Sequence, residues 1–173
     1  DLSSLEELGT YINYNGYGPA VEDLHFDPEE LYRRLYAADS ALGFVAESPD
    51  FARLKAGYAE DMGLAEALQP MHATDLVAVF MLPDEAWARR VSGVYSNDLA
   101  TGNPDRAHAV LTEKANGNYL VSVRAPLSNK HGAAELCMQF PTGGGRAGAA
   151  GINDLPSDSL DAFVAAFGQA YTR

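Results

Sequence analysis

The sequence predicts an α/β protein: a mixed β-sheet of four or five strands covered by helices, preceded by an N-terminal helical segment. Three observations carry that reading. Through residue 70, apolar residues recur at helical spacing; from residue 74, short apolar runs alternate with helical stretches; and Asn116-Gly117 separates two alternating runs as a hairpin turn does. At 173 residues, 47% hydrophobic and 21% charged, the chain is globular in composition and long enough for a full core.

In chain order, Leu2, Leu5, Leu8 and Ile12 form the stripe of a first helix over residues 2–12, and Asn13 to Pro19 is turn-rich. A second helix is expected after Asp27, a capping residue followed by Pro28 and, three positions on, Glu30. A third runs over residues 50–68 from an Asp50 cap, and Pro70 ends it. Then come a strand from Leu76 to Met81, a helix from Glu85 through Trp87, Val91 and Val94, and strands at 107–111 and 119–123 around the Asn116-Gly117 turn. A short helix over 132–140 is stopped by Pro141; a strand at 149–152 and a closing helix at 160–167 complete the list. The domain division that follows is 1–70 and 71–173. Asp154 and Asp158 read as cap and turn residues ahead of the last helix.

Charge is unevenly spread over the net −12. Residues 1–70 hold four Lys and Arg against fourteen Asp and Glu, net −10, whereas residues 71–173 hold eight against ten, net −2. No basic stripe exists to neutralise an extended phosphate backbone, so long duplex nucleic acid is not an expected partner. The longest apolar run, Leu76 to Leu82, is far short of the roughly 20 residues a membrane helix needs, no signal peptide opens the chain, and a cytoplasmic location is expected. His25, His72, His108 and His131 are too scattered for a metal motif, with His72 and His108 outside the cluster described next, and the lone Cys137 falls on the apolar face of a short helix, as a packing residue does.

That cluster lies toward the C-terminus. Gly143-Gly144-Gly145-Arg146-Ala147-Gly148-Ala149-Ala150-Gly151 reads as a loop whose bare backbone lets an anion approach N–H groups, next to a guanidinium suited to phosphate. Upstream, Tyr119 to Arg124 reads as a buried strand that delivers Arg124 at its carboxyl end, where ligands of open α/β sheets gather. Arg124, Lys130 and Arg146 thus fall in one short stretch, with Ser122, Asn129 and His131 beside them as further donors.

These residues resemble the DHH phosphoesterases, the family of RecJ-type exonucleases, oligoribonucleases and cyclic-dinucleotide hydrolases. Their C-terminal DHH-associated domain carries a strand ending in Ser-x-Arg, matched by Ser122-Val123-Arg124, then Gly-Gly-Gly-His-x-x-Ala-Ala-Gly, matched at the same spacing by Gly143 to Gly151. Arg146 stands where the family has histidine; it keeps an anion donor and gives up a titrating one. The resemblance covers about residues 71–173 well and residues 1–70 more weakly. It implies that the chain is the substrate-binding part of a phosphoesterase, placing a nucleotide or short oligonucleotide for hydrolysis by its own N-terminal catalytic domain. The Asp-His-His motif is absent and the sequence opens on Asp1, so a fragment is expected, without catalytic residues and inactive alone, with manganese held in the missing domain. Two other readings remain: coenzyme A binding for acyl transfer, for which the Arg146 and Gln139 spacings to glycine fail, and a dimerisation module whose glycines serve close packing.

Overall fold

The structure, a computed structural model, describes residues 2–172 and divides into two compact units. The first runs through Glu66 and includes Glu85–Val91; the second comprises Ala67–Asp84 and Ser92 onward.

The first unit contains helices α1 (Leu2–Tyr14), α2 (Pro28–Ala37), α3 (Ala41–Glu47) and α4 (Pro49–Glu66), together with the start of a further helix at Ala86. Asp27 caps α2 as its sequence foretells, its carboxylate accepting from the Glu29 and Glu30 amides. Asp50 does not cap α4. The helix begins one residue earlier, at Pro49, and the Ser48 hydroxyl accepts from the Asp50 amide. Helix α3, with its Ser40 cap, escaped the sequence because seven residues give too little periodicity. Leu8, Tyr11, Leu31, Phe44, Phe51 and Leu54 fill the core between the helices. Tyr14, expected in the turn-rich stretch from Asn13 to Pro19, is the last residue of α1 and wholly buried.

The Tyr14 hydroxyl donates to Asp61 on α4 and lies 2.8 Å from His25 Nε2. Asp61, 4% exposed, also accepts from Arg90 Nε at 2.6 Å and Nη2 at 3.0 Å. Arg89 clasps the Asp23 carboxylate in the same way, at 2.6 and 2.9 Å. This network fixes the first turns of the helix beginning at Ala86 within the first unit. A buried carboxylate is tolerable here because each oxygen has a charged donor.

The second unit is a six-stranded sheet in the order β1-β2-β3-β4-β6-β5: β1 (His72–Ala73), β2 (Val77–Leu82), β3 (Ala107–Glu113), β4 (Tyr119–Arg124), β5 (Gly143–Arg146) and β6 (Ala149–Leu155). Only β2 and β3 are parallel, joined by the crossover helix α5 (Ala86–Gly102); the other pairs are antiparallel. The class is the expected one, with one or two strands more than foreseen. Val79, Leu111, Val123 and Ile152 point to one face, where α6 (Ala133–Cys137) and α7 (Leu160–Ala170) cover them with Leu136, Phe163 and Phe167. Each such buried side chain contributes about 1.5–3 kcal/mol. Tyr95 of α5 meets Phe80 of β2 on the other face, ring centroids 5.7 Å apart. Asp154 lies within β6 rather than capping α7. It accepts from Lys114 at 2.5 Å and from Asn116 and Asn118, tying down the β3–β4 turn, and these donors push its carboxyl down to about 2.

The expected glycine loop is itself a strand, β5, at the sheet edge. Its glycines have separate causes. A Cβ on Gly143 would stand 1.8 Å from the Cys137 carbonyl oxygen, and one on Gly145, at φ +143°, 2.4 Å from the Ala150 Cα. Nothing lies within 4 Å of where a Gly144 Cβ would be. Gly143→Ala is therefore expected to lower the second unit's stability by several kcal/mol, through displacement of α6, whereas Gly144→Ala stays within about 0.5 kcal/mol of wild type in urea melts. Equal costs at the two positions would refute the packing assignment.

Candidate functional site

Strand alternation and register decide which side chains share a face. Val121 and Val123 of β4 and Ala150 and Ile152 of β6 are in the core, so Ser122, Arg124, Ala149 and Gly151 point the other way. Gly144 pairs with Gly151 and Arg146 with Ala149, which puts Gly144 and Arg146 on that second face too. One row across the sheet thus reads His108, Arg124, Ala149, Arg146, and the next Val110, Ser122, Gly151, Gly144. Arg124 and Arg146 stand two strands apart, roughly 10 Å between Cα atoms, over a floor of alanine and glycine.

Arg124 is held in place. Its Nε donates to Asn97 Oδ1 at 2.9 Å and its Nη1 to Ser122 Oγ at 2.9 Å and the Val123 carbonyl at 3.2 Å. Arg146, exposed, has no recorded side-chain partner among the described residues. The backbone of β5 contributes less than a loop would. Its Gly143 amide donates to the Phe140 carbonyl, and a one-sided strand turns only alternate amides to the open edge.

The segment after Arg124 ties this end of the sheet together: Ala125 N–H donates to the Gly148 carbonyl, Ala133 N–H to that of Ala147, and Lys130 packs beside Gly148. Asn129 and His131 of the same segment line a separate cleft with Asp105, Pro126, Tyr171 and Thr172. None of Ser122, Arg124, Arg146 or the three glycines borders that cleft. The predicted residues are therefore brought together in two groups, the two arginines with Ser122 and Gly144 on the open face, and Asn129 with His131 elsewhere.

Two neighbours went unrecognised in the sequence. Asn97 is contributed by α5, 27 residues before Arg124. His108 faces the Arg124 row directly, contrary to its expected place outside the cluster, since β3 pairs His108 with Arg124. It is 1% exposed, and burial pushes its imidazole down to about 4, aided by Arg106 nearby. Below pH 6.5, the ordinary histidine value, the unfolded chain takes up a proton that folded His108 refuses, so stability is drained as pH falls from 6.5 toward 4. The expected loss is about 3 kcal/mol. His108→Leu should flatten the pH dependence of urea stability over this window, and an unchanged slope would contradict the assignment.

No cluster of three His, Cys, Asp or Glu that could hold a metal ion occurs among the described residues, so this donor set does not fit a manganese centre. Nor is any described helix long and apolar enough to cross a membrane.

Known structures share this architecture. A pGpG-specific phosphodiesterase, PggH from Vibrio cholerae, superposes with a TM-score of 0.57 at 13% identity, over 84% of this chain and 51% of its own. RecJ from Thermus thermophilus in complex with Mn²⁺ gives 0.59 at 20% identity, over 83% of this chain and 22% of RecJ, and CDC45 from Entamoeba histolytica 0.54 at 8%, over 94% and 36%. The chain shares the fold of these proteins. It spans about half of the Vibrio phosphodiesterase and less than a third of RecJ. No sequence-family model matches the chain, and no curated protein sequence does. Ser122 and Arg124 lie on β4 and Gly143–Arg146 on β5, with Ala149–Gly151 of β6 between them.

Proposed function

We propose that the open face of β4, β6 and β5 binds the phosphate of a nucleotide or short oligonucleotide and positions it for hydrolysis by metals held in another domain of a DHH-family phosphoesterase. The observation that carries this is the shared row of Arg124 and Arg146 over Ala149, with Gly144 and Gly151 alongside. Two arginines share one face of the sheet over a floor of alanine and glycine, where a phosphate could lie against the strands. The described residues offer no metal cluster and no activated nucleophile; buried Cys137, its thiol pushed up to about 11, is not one. The chain's own contribution is geometric: anchoring a phosphate away from the scissile bond fixes the substrate without supplying a reacting group.

Replacing the family's histidine by Arg146 gives this site a cation that does not titrate, so affinity should hold from pH 6 to 8 apart from the ligand's own ionisation. The test is calorimetric titration of AMP, adenosine and inorganic phosphate into the chain. Binding of AMP and phosphate without adenosine supports the reading; equal binding of adenosine and AMP, or none of either, removes it.

A further inference from the structure

We infer that Asn97 is a positioning residue for the phosphate site, setting the plane of the Arg124 guanidinium before a ligand arrives; this rests on the anion site proposed above. An arginine side chain at a sheet surface has many rotamers, and only some aim its fork across Ala149 toward Arg146. Here three recorded hydrogen bonds hold it from two sides. Ser122 Oγ and the Val123 carbonyl take Nη1 from beneath, within the same strand, and Asn97 Oδ1 takes Nε from α5.

Asn97 can do this because its own backbone is anchored. The flanking residues Val94, Tyr95, Ser96 and Ala100 are buried, Tyr95 packs edge-to-face on Phe80, and the Asn97 carbonyl accepts from Thr101 Oγ1 at 3.0 Å. The side chain of Asn97 is exposed, so its bond to Arg124 adds little to folding. A residue that matters little for stability yet fixes the orientation of Arg124 is placed to act on binding. Ordering the guanidinium in advance removes an entropy cost from association, worth up to about tenfold in affinity for one immobilised long side chain. An amide also suits the task better than a carboxylate would, because it accepts from Nε without neutralising the charge that the phosphate needs.

The experiment is a double-mutant cycle in the 173-residue chain, with AMP as the probe, together with side-chain NMR of the arginine Nε–H groups in the free protein. Asn97→Ala is expected to weaken AMP binding about tenfold with an unchanged melting temperature, to cost nothing further in an Arg124→Ala background, and to abolish the slow exchange of the Arg124 Nε–H. Asn97→Asp should retain the slow Nε–H yet bind AMP more weakly than Asn97→Ala. Unchanged affinity in Asn97→Ala, or the same loss with Arg124 already removed, overturns the positioning role. If Arg124→Ala itself leaves AMP binding intact, the anion site fails instead, and the exchange measurement still reports whether Asn97 orders Arg124.

Discussion

Asp61→Ala is expected to cost the helical unit about 3–5 kcal/mol, the largest effect of any substitution on its stability. The carboxylate is nearly inaccessible and receives two Arg90 nitrogens and the Tyr14 hydroxyl, while burial pushes His25, bonded to the same hydroxyl, below the usual imidazole value. Removing Asp61 takes the carboxylate from a mostly buried guanidinium and a wholly buried phenol, and the Asp23 carbonyl and His25 that remain compensate their desolvation only in part. Asp61→Asn keeps one oxygen for these donors and should lose clearly less. An exposed pair such as Arg33 with Glu29 offers the contrast: Arg33→Ala should change stability by no more than about 0.5 kcal/mol. The single tryptophan, Trp87, belongs to this unit, so its fluorescence in urea reports the unfolding that matters. A loss below about 1 kcal/mol in Asp61→Ala would show that the network is not what secures the start of α5 within the unit.

Arg124→Ala is expected to abolish most of the AMP affinity, by about tenfold to a hundredfold, because a charge-assisted hydrogen bond to phosphate contributes roughly 1.5–3 kcal/mol. Its bonds to Asn97 and Ser122 hold the guanidinium on the face of the sheet that Arg146 shares from β5. Arg146→Ala should also weaken binding, though less, since an exposed, unrestrained side chain must be ordered by the ligand itself. Arg146→His restores the family's residue and should make affinity fall as pH rises through the histidine range, with the neutral imidazole no longer attracting phosphate. Melting temperatures of all three variants should match wild type. If Arg124→Ala lost affinity only in proportion to lost stability, the effect would be structural.

Much of the fold was legible because local chemistry specifies it. Asp27-Pro28 caps α2, Gly117 takes φ +83° in the β3–β4 turn as Asn116-Gly117 foretold, and Val121 and Val123 mark a strand, buried on alternate residues rather than throughout as its apolar run suggests. Strand β5 was illegible because glycines carry neither hydrophobic period nor β-propensity; only the close approaches to Cys137 and Ala150 explain them. Arg124 and Arg146 could be paired from their motif, but their common face depends on register, which sequence spacing alone does not fix. The same holds for His108 and Asn97, which reach Arg124 through the β3–β4 ladder and through helix packing. Asn129 and His131 mark the converse, since proximity in sequence to Arg124 does not bring them to its face of the sheet.

The central claim, that a phosphate sits between Arg124 and Arg146 on the open sheet face, is tested most directly by NMR titration of the chain with AMP, followed at the arginine side-chain and glycine amide signals. The Nε–H resonances of Arg124 and Arg146 and the amides of Gly144 and Gly151 should shift together with one dissociation constant. Shifts confined to Asn129, His131 and Tyr171, in the cleft that excludes both arginines, would contradict it.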